Sequence, residues 1–173
     1  MNIPLSTIQF EAYNDKERMV GLATIDLPDI EFSTTDIKGA GILGTISWAT
    51  RGNIENLETT LHWNVLTKNS ATFASQSAGH MVSLRAATEV YDAGTGERKI
   101  MPIRVDLRGH TTKIGLGKFE PGETMESELT LTIDWLKITY DKDFVYLEID
   151  KLNSRYVANG QDIFADVNAA LGR

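Results

Sequence analysis

The side chains able to do chemistry are few, and their spacing argues against most of it. Cysteine is absent, which removes disulfides, thiolate nucleophiles and cysteine-held zinc or iron–sulfur centres. His62, His80 and His110 are the only histidines. None has a second ligand at a metal-site spacing such as H-x-x-x-H, so they read as surface or strand histidines. Gly115-Leu116-Gly117-Lys118 has the glycines and lysine of a phosphate loop. A working loop needs G-x-x-x-x-G-K-[ST] between a strand and a helix; here Phe119 takes the Ser/Thr position and a strand follows. Glu120, Glu123, Glu126 and Glu128 could supply the paired carboxylates of a glycosidase. Glu126 and Glu128 instead run into a polar strand face with Thr130, Thr132 and Asp134. No G-x-S-x-G nucleophile elbow is present. The residues support no enzyme class, no metal and no cofactor.

The elements that carry these residues are strands. In residues 126–135, Leu129, Leu131, Ile133 and Trp135 alternate with Glu128, Thr130, Thr132 and Asp134, the period-two signature of a half-buried strand. The phase then flips, and Leu136, Ile138 and Tyr140 carry the apolar side. Phe144 to Ile149 returns. A two-residue turn at Asp141-Lys142 would pair Ile138 with Val145 and Leu136 with Leu147, whereas a three-residue loop would oppose Leu136 to Glu148. Because a one-residue slip moves every side chain to the other face, the pattern predicts the two-residue turn. Residues 57–66 alternate in the same way, with Leu57, Thr59, Leu61, Trp63 and Val65 opposite Glu58, Thr60, His62 and Asn64.

Elsewhere, residues 5–13 and 19–27 read as a strand and its return around a turn at Asn14-Asp15-Lys16-Glu17. Residues 80–92 and 99–108 form a second long hairpin, with Pro102 marking an edge or a bulge. Asn69-Ser70 is placed to cap a short helix through Ala78, with Gly79 as its stop. Ile163, Phe164, Val167, Ala170 and Leu171 fit an amphipathic helix over 161–171. The expected fold is mainly β: two packed antiparallel sheets, as a sandwich or partial barrel, with one or two flanking helices. Residues 1–173 are expected to form a single domain.

Residues 39–53 stand apart. They combine Gly39, Gly41, Gly44 and Gly52 with Ile42, Leu43, Ile46, Trp48 and Arg51. Either the stretch tucks its apolar residues under itself as a loop, or it is an arm that buries them against another subunit.

Composition narrows the partners. The 173 residues are 42% hydrophobic and 24% charged, with a net charge of -7. An acidic chain is a poor reader of nucleic acid, because phosphate contacts need Lys and Arg clusters. Met1-Asn2-Ile3-Pro4-Leu5 lacks signal-peptide features, and no apolar run approaches the ~20 residues of a bilayer span, so no membrane anchor is expected.

The second half carries a family resemblance. Val105-Asp106-Leu107-Arg108-Gly109 is similar to a "V-x-x-R-G" strand end in the major tail tube proteins of contractile-tailed phages. The segment from Gly117-Lys118 through Gly122-Glu123 to Glu126 resembles that family's "G-K-x-x-x-G-E-x-x-E". Asp150-Lys151-Leu152-Asn153, Val157-Ala158-Asn159-Gly160-Gln161-Asp162 and Leu171-Gly172 resemble its "I-D-x-x-N", "V-N-G-x-D" and closing "L-G". Asp141-Lys142-Asp143 departs from the usual Asp-Gly turn. The likeness is clear over residues 84–173 and loose before them, although Gly39-Ala40-Gly41 is also similar.

The resemblance implies hexameric rings stacked into the inner tube of a contractile injection machine, a phage tail or an R-type bacteriocin, assembled in the bacterial host cytoplasm. Its partners would be further copies of itself, the tail sheath protein, a tape measure protein in the lumen during assembly and, in a phage, passing DNA. Lumen-facing candidates are Glu58, Thr60, His62, Asn64, Glu128, Thr130, Thr132 and Asp134. Subunit-interface candidates are Ile42, Leu43, Ile46, Trp48 and Arg51. A monomeric β-sandwich binding module and a small β-rich hydrolase using Glu residues are the other readings.

Overall fold

The computed structural model describes residues 2–15 and 17–172. In chain order its strands are β1 (Asn2–Asn14), β2 (Glu17–Arg18), β3 (Leu22–Asp26), β4 (Phe32–Ile37), β5 (Ile46–Ile54) and β6 (Glu58–Trp63). Helix α1 (Lys68–Thr72) follows, then β7 (His80–Asp92), β8 (Glu97–Gly115), β9 (Ser127–Tyr140), β10 (Phe144–Asp150), β11 (Arg155–Ala158), β12 (Gln161–Asp162) and helix α2 (Ala165–Ala170). Every pairing is antiparallel. The fold is mainly β, as the alternation predicts, and it is an open arrangement rather than a closed barrel.

One sheet dominates, in the order β12-β11-β10-β9-β8-β7-β1-β2, with β6 and β3 branching from β9. Strand β9 makes the branch possible because it is 14 residues long. Its first half pairs with β6, Glu58 facing Thr132 and Trp63 facing Ser127. Its second half pairs with β10. The branch defines a narrow wing of β3, β6 and the adjoining halves of β9 and β8, and a broad wing running from β12 to β2. Both wings turn apolar faces to one core: Leu57 and Leu61 from the narrow wing, Val82, Leu84, Leu107, Leu147 and Ile149 from the broad one, and Leu131, Ile133 and Leu136 from β9.

The phase flip in β9 is a β-bulge. Arg108 pairs with Trp135 and Gly109 with Ile133, so Asp134 is the extra residue. The bulge re-aims the strand between wings. It also puts the flip one residue earlier than the alternation suggests: Ile133 is 1% exposed and Leu136 1%, while Trp135 leaves the core face and its indole meets Glu148 at 3.5 Å. Only glycine fits opposite the bulge, since a Cβ at Gly109 would lie 2.3 Å from the Thr132 carbonyl oxygen.

The predicted two-residue turn is corrected. Tyr140 pairs with Phe144 around the three residues Asp141-Lys142-Asp143. A shift between Val145 and Leu147 then restores Ile138 opposite Leu147 and Leu136 opposite Ile149. The bulge absorbs the slip that a three-residue loop would impose, so the apolar face is kept with different partners. Asp141 and Lys142 take φ of 48° and 68°, left-handed values that non-glycine residues adopt at a cost of order 1–3 kcal/mol.

Three further expectations change. Among the described residues Glu17 and Arg18 pair back onto β1, and the Met19 N–H donates to the Ala12 carbonyl at 2.7 Å; past Gly21 (φ 91°) the chain crosses to the narrow wing, and β3 pairs with β6. Lys16 of the expected turn lies outside the described residues. Helix α1 is shorter than expected and starts earlier, because Thr67 and Ser70 form a reciprocal capping box. The C-terminal helix is also shorter than 161–171. Asn159 and Gly160 turn the chain at φ 51° and 73°, Gln161 and Asp162 pair back onto β11, and Ile163 extends that ladder through Tyr156. The apolar spacing of Ile163, Phe164 and Val167 is therefore shared between a strand end and one helical turn. Pro102 behaves as the edge reading requires: its carbonyl accepts from Asp141 at 3.0 Å, on the side where β9 has ended and no strand needs its missing N–H.

Candidate assembly surfaces

The narrow wing brings most of the polar candidates together. Register sets Glu58 beside Thr132, Thr60 beside Thr130 and His62 beside Glu128. The Thr60 and Thr130 hydroxyls are 3.4 Å apart. At one end His62 Nε2 lies 2.9 Å from Asp26 on β3. On the β8 side Lys113 Nζ donates to Glu128 at 2.5 Å. The hydrogen bond and charge of Lys113 hold the Glu128 carboxyl below the usual carboxylate range. Six of the eight candidates thus form one polar face, opposite buried Leu57, Thr59, Leu61, Leu129 and Leu131. Asn64 and Asp134 flank it. Asn64 lies past the end of β6, where its carbonyl accepts from Met125 at 2.7 Å. Asp134 sits on the β9 bulge and accepts from Arg108 Nε at 2.8 Å.

This wing has open edges on both sides. Among the described residues β3 pairs only with β6. The β7 ladder stops at His80 opposite Gly109, so His110 to Gly115 of β8 pair with β9 alone. Because the pairings β3-β6, β6-β9 and β9-β8 all alternate in direction, the two free edges run opposite ways. Edges of this kind are templates for further strand pairing.

The opposite, outer face of the broad wing is recessed and mixes charged with apolar side chains. A groove of about 830 Å³ has Arg85, Arg104, Trp135 and Lys137 in its lining. Asp106, nearly buried, accepts from Ser83 at 2.5 Å and pairs with Arg104 Nε at 2.8 Å.

The arm is a ribbon rather than a loop. β5 begins at Ile46 and pairs with β4 as a separate two-stranded sheet, Ile37 facing Ile46 and Thr35 facing Trp48. The glycines that hid these strands in the sequence gather at the tip, Gly41 and Gly44 with φ of 88° and 90°. Ile37, Ile46 and Trp48 share one face at 44%, 47% and 64% exposure. Leu43 at the tip is fully exposed, while Ile42 is half-buried. Arg51 turns back instead, to Asp166 of α2 at 3.0 Å. A lone two-stranded ribbon is at best marginally stable in water, so an apolar face left open on one asks for a cover.

The remaining chemistry-bearing residues have structural work. His80 is buried rather than on the surface, donating to the Ser75 carbonyl at 3.0 Å and packing on Phe73. Glu126 is in the loop, not on the strand face, with φ 54°, and with Glu120 it flanks Lys118 Nζ at 3.8 and 3.3 Å. Among the described residues no group of His, Asp and Glu could hold a metal ion, and no helix is long and apolar enough to cross a membrane. Several aromatics are exposed: Trp48, Tyr146 at 61% and Phe119 at 90%.

The motifs that carry the resemblance prove to be joints. Arg108 and Gly109 build the β9 bulge. At Gly117 (φ 76°) a Cβ would lie 1.9 Å from the Met125 carbonyl oxygen, and Lys118 N–H donates to that same carbonyl at 2.9 Å. Burial raises the Asp150 carboxyl, but the Asn153 side chain and the Leu152 and Asn153 amides hold it below its usual range by hydrogen bonding, closing the turn after β10. The sequence model of the family described as phage tail tube protein FII matches residues 5–172.

The chain belongs to the phage tail tube protein family.

Its role is therefore structural, as a component of a tail tube. The fold is shared with solved chains of an extracellular contractile injection system. The sheath/tube terminator in the extended state, from the system labelled PVC, is 14% identical over 79% of this chain and 97% of that one, with a TM-score of 0.55. A chain of the PVC sheath-tube complex in the extended state is 15% identical over 76% and 88%, with a TM-score of 0.52. At these identities the likeness speaks for the fold. Comparison with curated proteins gives no match.

Proposed function

We propose that this tail tube protein forms hexameric rings whose narrow wings join edge to edge, β3 of one copy pairing with the β8 end of the next, and that the rings stack into a conduit. The observation that carries the proposal is a four-stranded wing with a polar outer face and two oppositely directed free edges. Six such wings supply 24 strands. At a strand spacing of about 4.8 Å and a tilt of about 40°, the resulting barrel is roughly 50 Å across at the backbone. The face of Glu58, Thr60, His62, Glu128, Thr130 and Thr132 lines its lumen, with Asn64 and Asp134 at the rims. A wall of this composition on a chain of net charge -7 repels DNA phosphates instead of holding them.

The arm face of Ile37, Ile46 and Trp48, extended by Ile42 and Leu43 at the tip, buries against a neighbouring subunit. The broad wing then looks outward, toward a sheath, while a tape measure protein or DNA occupies the lumen. The protein has no catalytic role and needs no cofactor, and it assembles in the cytoplasm of a bacterial host.

Negative-stain microscopy with light scattering of the purified chain tests this. Rings or tubes of six-fold symmetry are expected. A species that stays monomeric at high concentration, with nothing larger on the grid, would support a lone binding module instead.

A further inference from the structure

The arm joins the body at its base. Glu55 N–H donates to Glu31 at 2.9 Å, and Lys151 Nζ donates to the Glu55 carbonyl at 2.6 Å. Phe32 meets Tyr156 edge-on at 6.1 Å. These contacts lie at one end of the ribbon and leave a cleft of about 240 Å³ between arm and body. A hinge of this kind does not by itself fix the angle of the tip.

A second set of contacts lies further up β5. The Phe164 ring rests on the backbone at Gly52, where a Cβ would stand 1.9 Å from ring carbons. Gly52 has φ 71°, so glycine is required for both conformation and space. Next to it, Arg51 spans the segment that carries Phe164, one guanidinium nitrogen donating to the Ile163 carbonyl and another to Asp166 at 3.0 Å. The segment is itself pre-set. Asp162 accepts from the Phe164 amide at 2.9 Å, and Asn168 donates to the Ser154 carbonyl at 3.1 Å. Helix α2 buries no residue in the core, so core packing does not account for its position.

We propose that Phe164, Asp166, Arg51 and Gly52 form a latch by which the C-terminal segment aims the arm. These are positioning residues: they set the angle at which Ile46 and Trp48 are presented. The consequence for assembly rests on the reading of the arm as an intersubunit contact, but the latch itself does not.

The absence of cysteine allows a direct test. Spin labels on Thr45→Cys at the arm tip and Lys142→Cys on the body report the arm angle by pulsed EPR on the full-length monomer. The latched protein gives one narrow distance distribution. Arg51→Ala and Phe164→Ala are each expected to widen it two-fold or more without moving the thermal unfolding midpoint of the body. The charge swap Arg51→Asp with Asp166→Arg restores part of the narrow width, since the ion pair is remade while the hydrogen bond to the Ile163 carbonyl is not, and a general loss of order would restore none. Tube elongation by Arg51→Ala slows about ten-fold. Widths unchanged in both single variants would overturn the latch. Wider distributions with normal elongation would leave the latch standing and count against the arm as an assembly contact.

Discussion

Replacing Gly109 with alanine tests whether the β9 bulge is the joint between the two wings. The new methyl would sit 2.3 Å from the Thr132 carbonyl oxygen and 2.9 Å from Ile133 Cδ1. The first contact is with backbone, so it cannot be relieved by a rotamer change; the ladder around the Asp134 bulge has to open. Overpacking of a filled site costs about 1–3 kcal/mol, and one ladder hydrogen bond about 1 kcal/mol. Gly109→Ala is therefore expected to lose roughly 2–4 kcal/mol, which for a chain of this size lowers the unfolding midpoint by about 5–15 °C. Urea unfolding of the monomer, followed through Trp63 and Trp135, measures it as a fall in midpoint with an unchanged slope. Gly94→Ala is the control. Its φ is not positive and its nearest neighbour is a side-chain oxygen 3.4 Å away, so it should stay within about 0.5 kcal/mol of the parent. If the two variants unfold together, the bulge is not the rigid joint described above.

Other expectations follow from the same geometry. Leu131→Ala, at a position with no exposure, should cost about 2–5 kcal/mol in the same titration. The double change Ile46→Asp and Trp48→Asp should leave monomer stability within about 1 kcal/mol, because both side chains face solvent, yet abolish tubes on electron-microscope grids. Acid should loosen the latch. Its hydrogen bond to Arg51 holds the Asp166 carboxyl below the usual range. The contribution of such a lowered group is present above the unfolded pKa and is lost as pH falls through the folded one. The arm-tip distance distribution should therefore widen in the parent as pH falls below the ordinary carboxylate range, and Asp166→Asn should remove most of that dependence.

Much of the fold was legible because the strands alternate where one side is buried. Leu57, Leu61 and Trp63 against Glu58, Thr60 and His62 needed no tertiary information, nor did Leu129, Leu131 and Ile133. That the two polar sets are cross-strand neighbours was not legible, since β6 and β9 lie some seventy residues apart and alternation names a face but no partner. The β9–β10 register failed for a related reason. A bulge at Tyr146 lets a three-residue loop satisfy the same apolar face, and periodicity counts residues without seeing which is extra. The arm strands were hidden by glycines that serve the tip and the Phe164 contact, not a loop. The pairing of Arg51 with Asp166 was not legible, because the two lie 115 positions apart. The C-terminal helix was overread because Ile163, Phe164 and Val167 satisfy helical spacing while only the last lies in α2. The motif residues Arg108, Gly109, Gly117, Lys118, Asp150 and Asn153 signalled family through order and spacing, and in the structure each lies at a bulge or a turn.

The most direct measurement is a cryo-EM reconstruction of the assembled tube. Six subunits per ring are expected, with a continuous ladder between β3 of one copy and residues 110–115 of the next, and Glu58, Thr60, His62, Glu128, Thr130 and Thr132 projecting into the lumen. A tube in which those side chains lie outside or between stacked rings, or in which β3 and β8 stay unpaired, would contradict this arrangement.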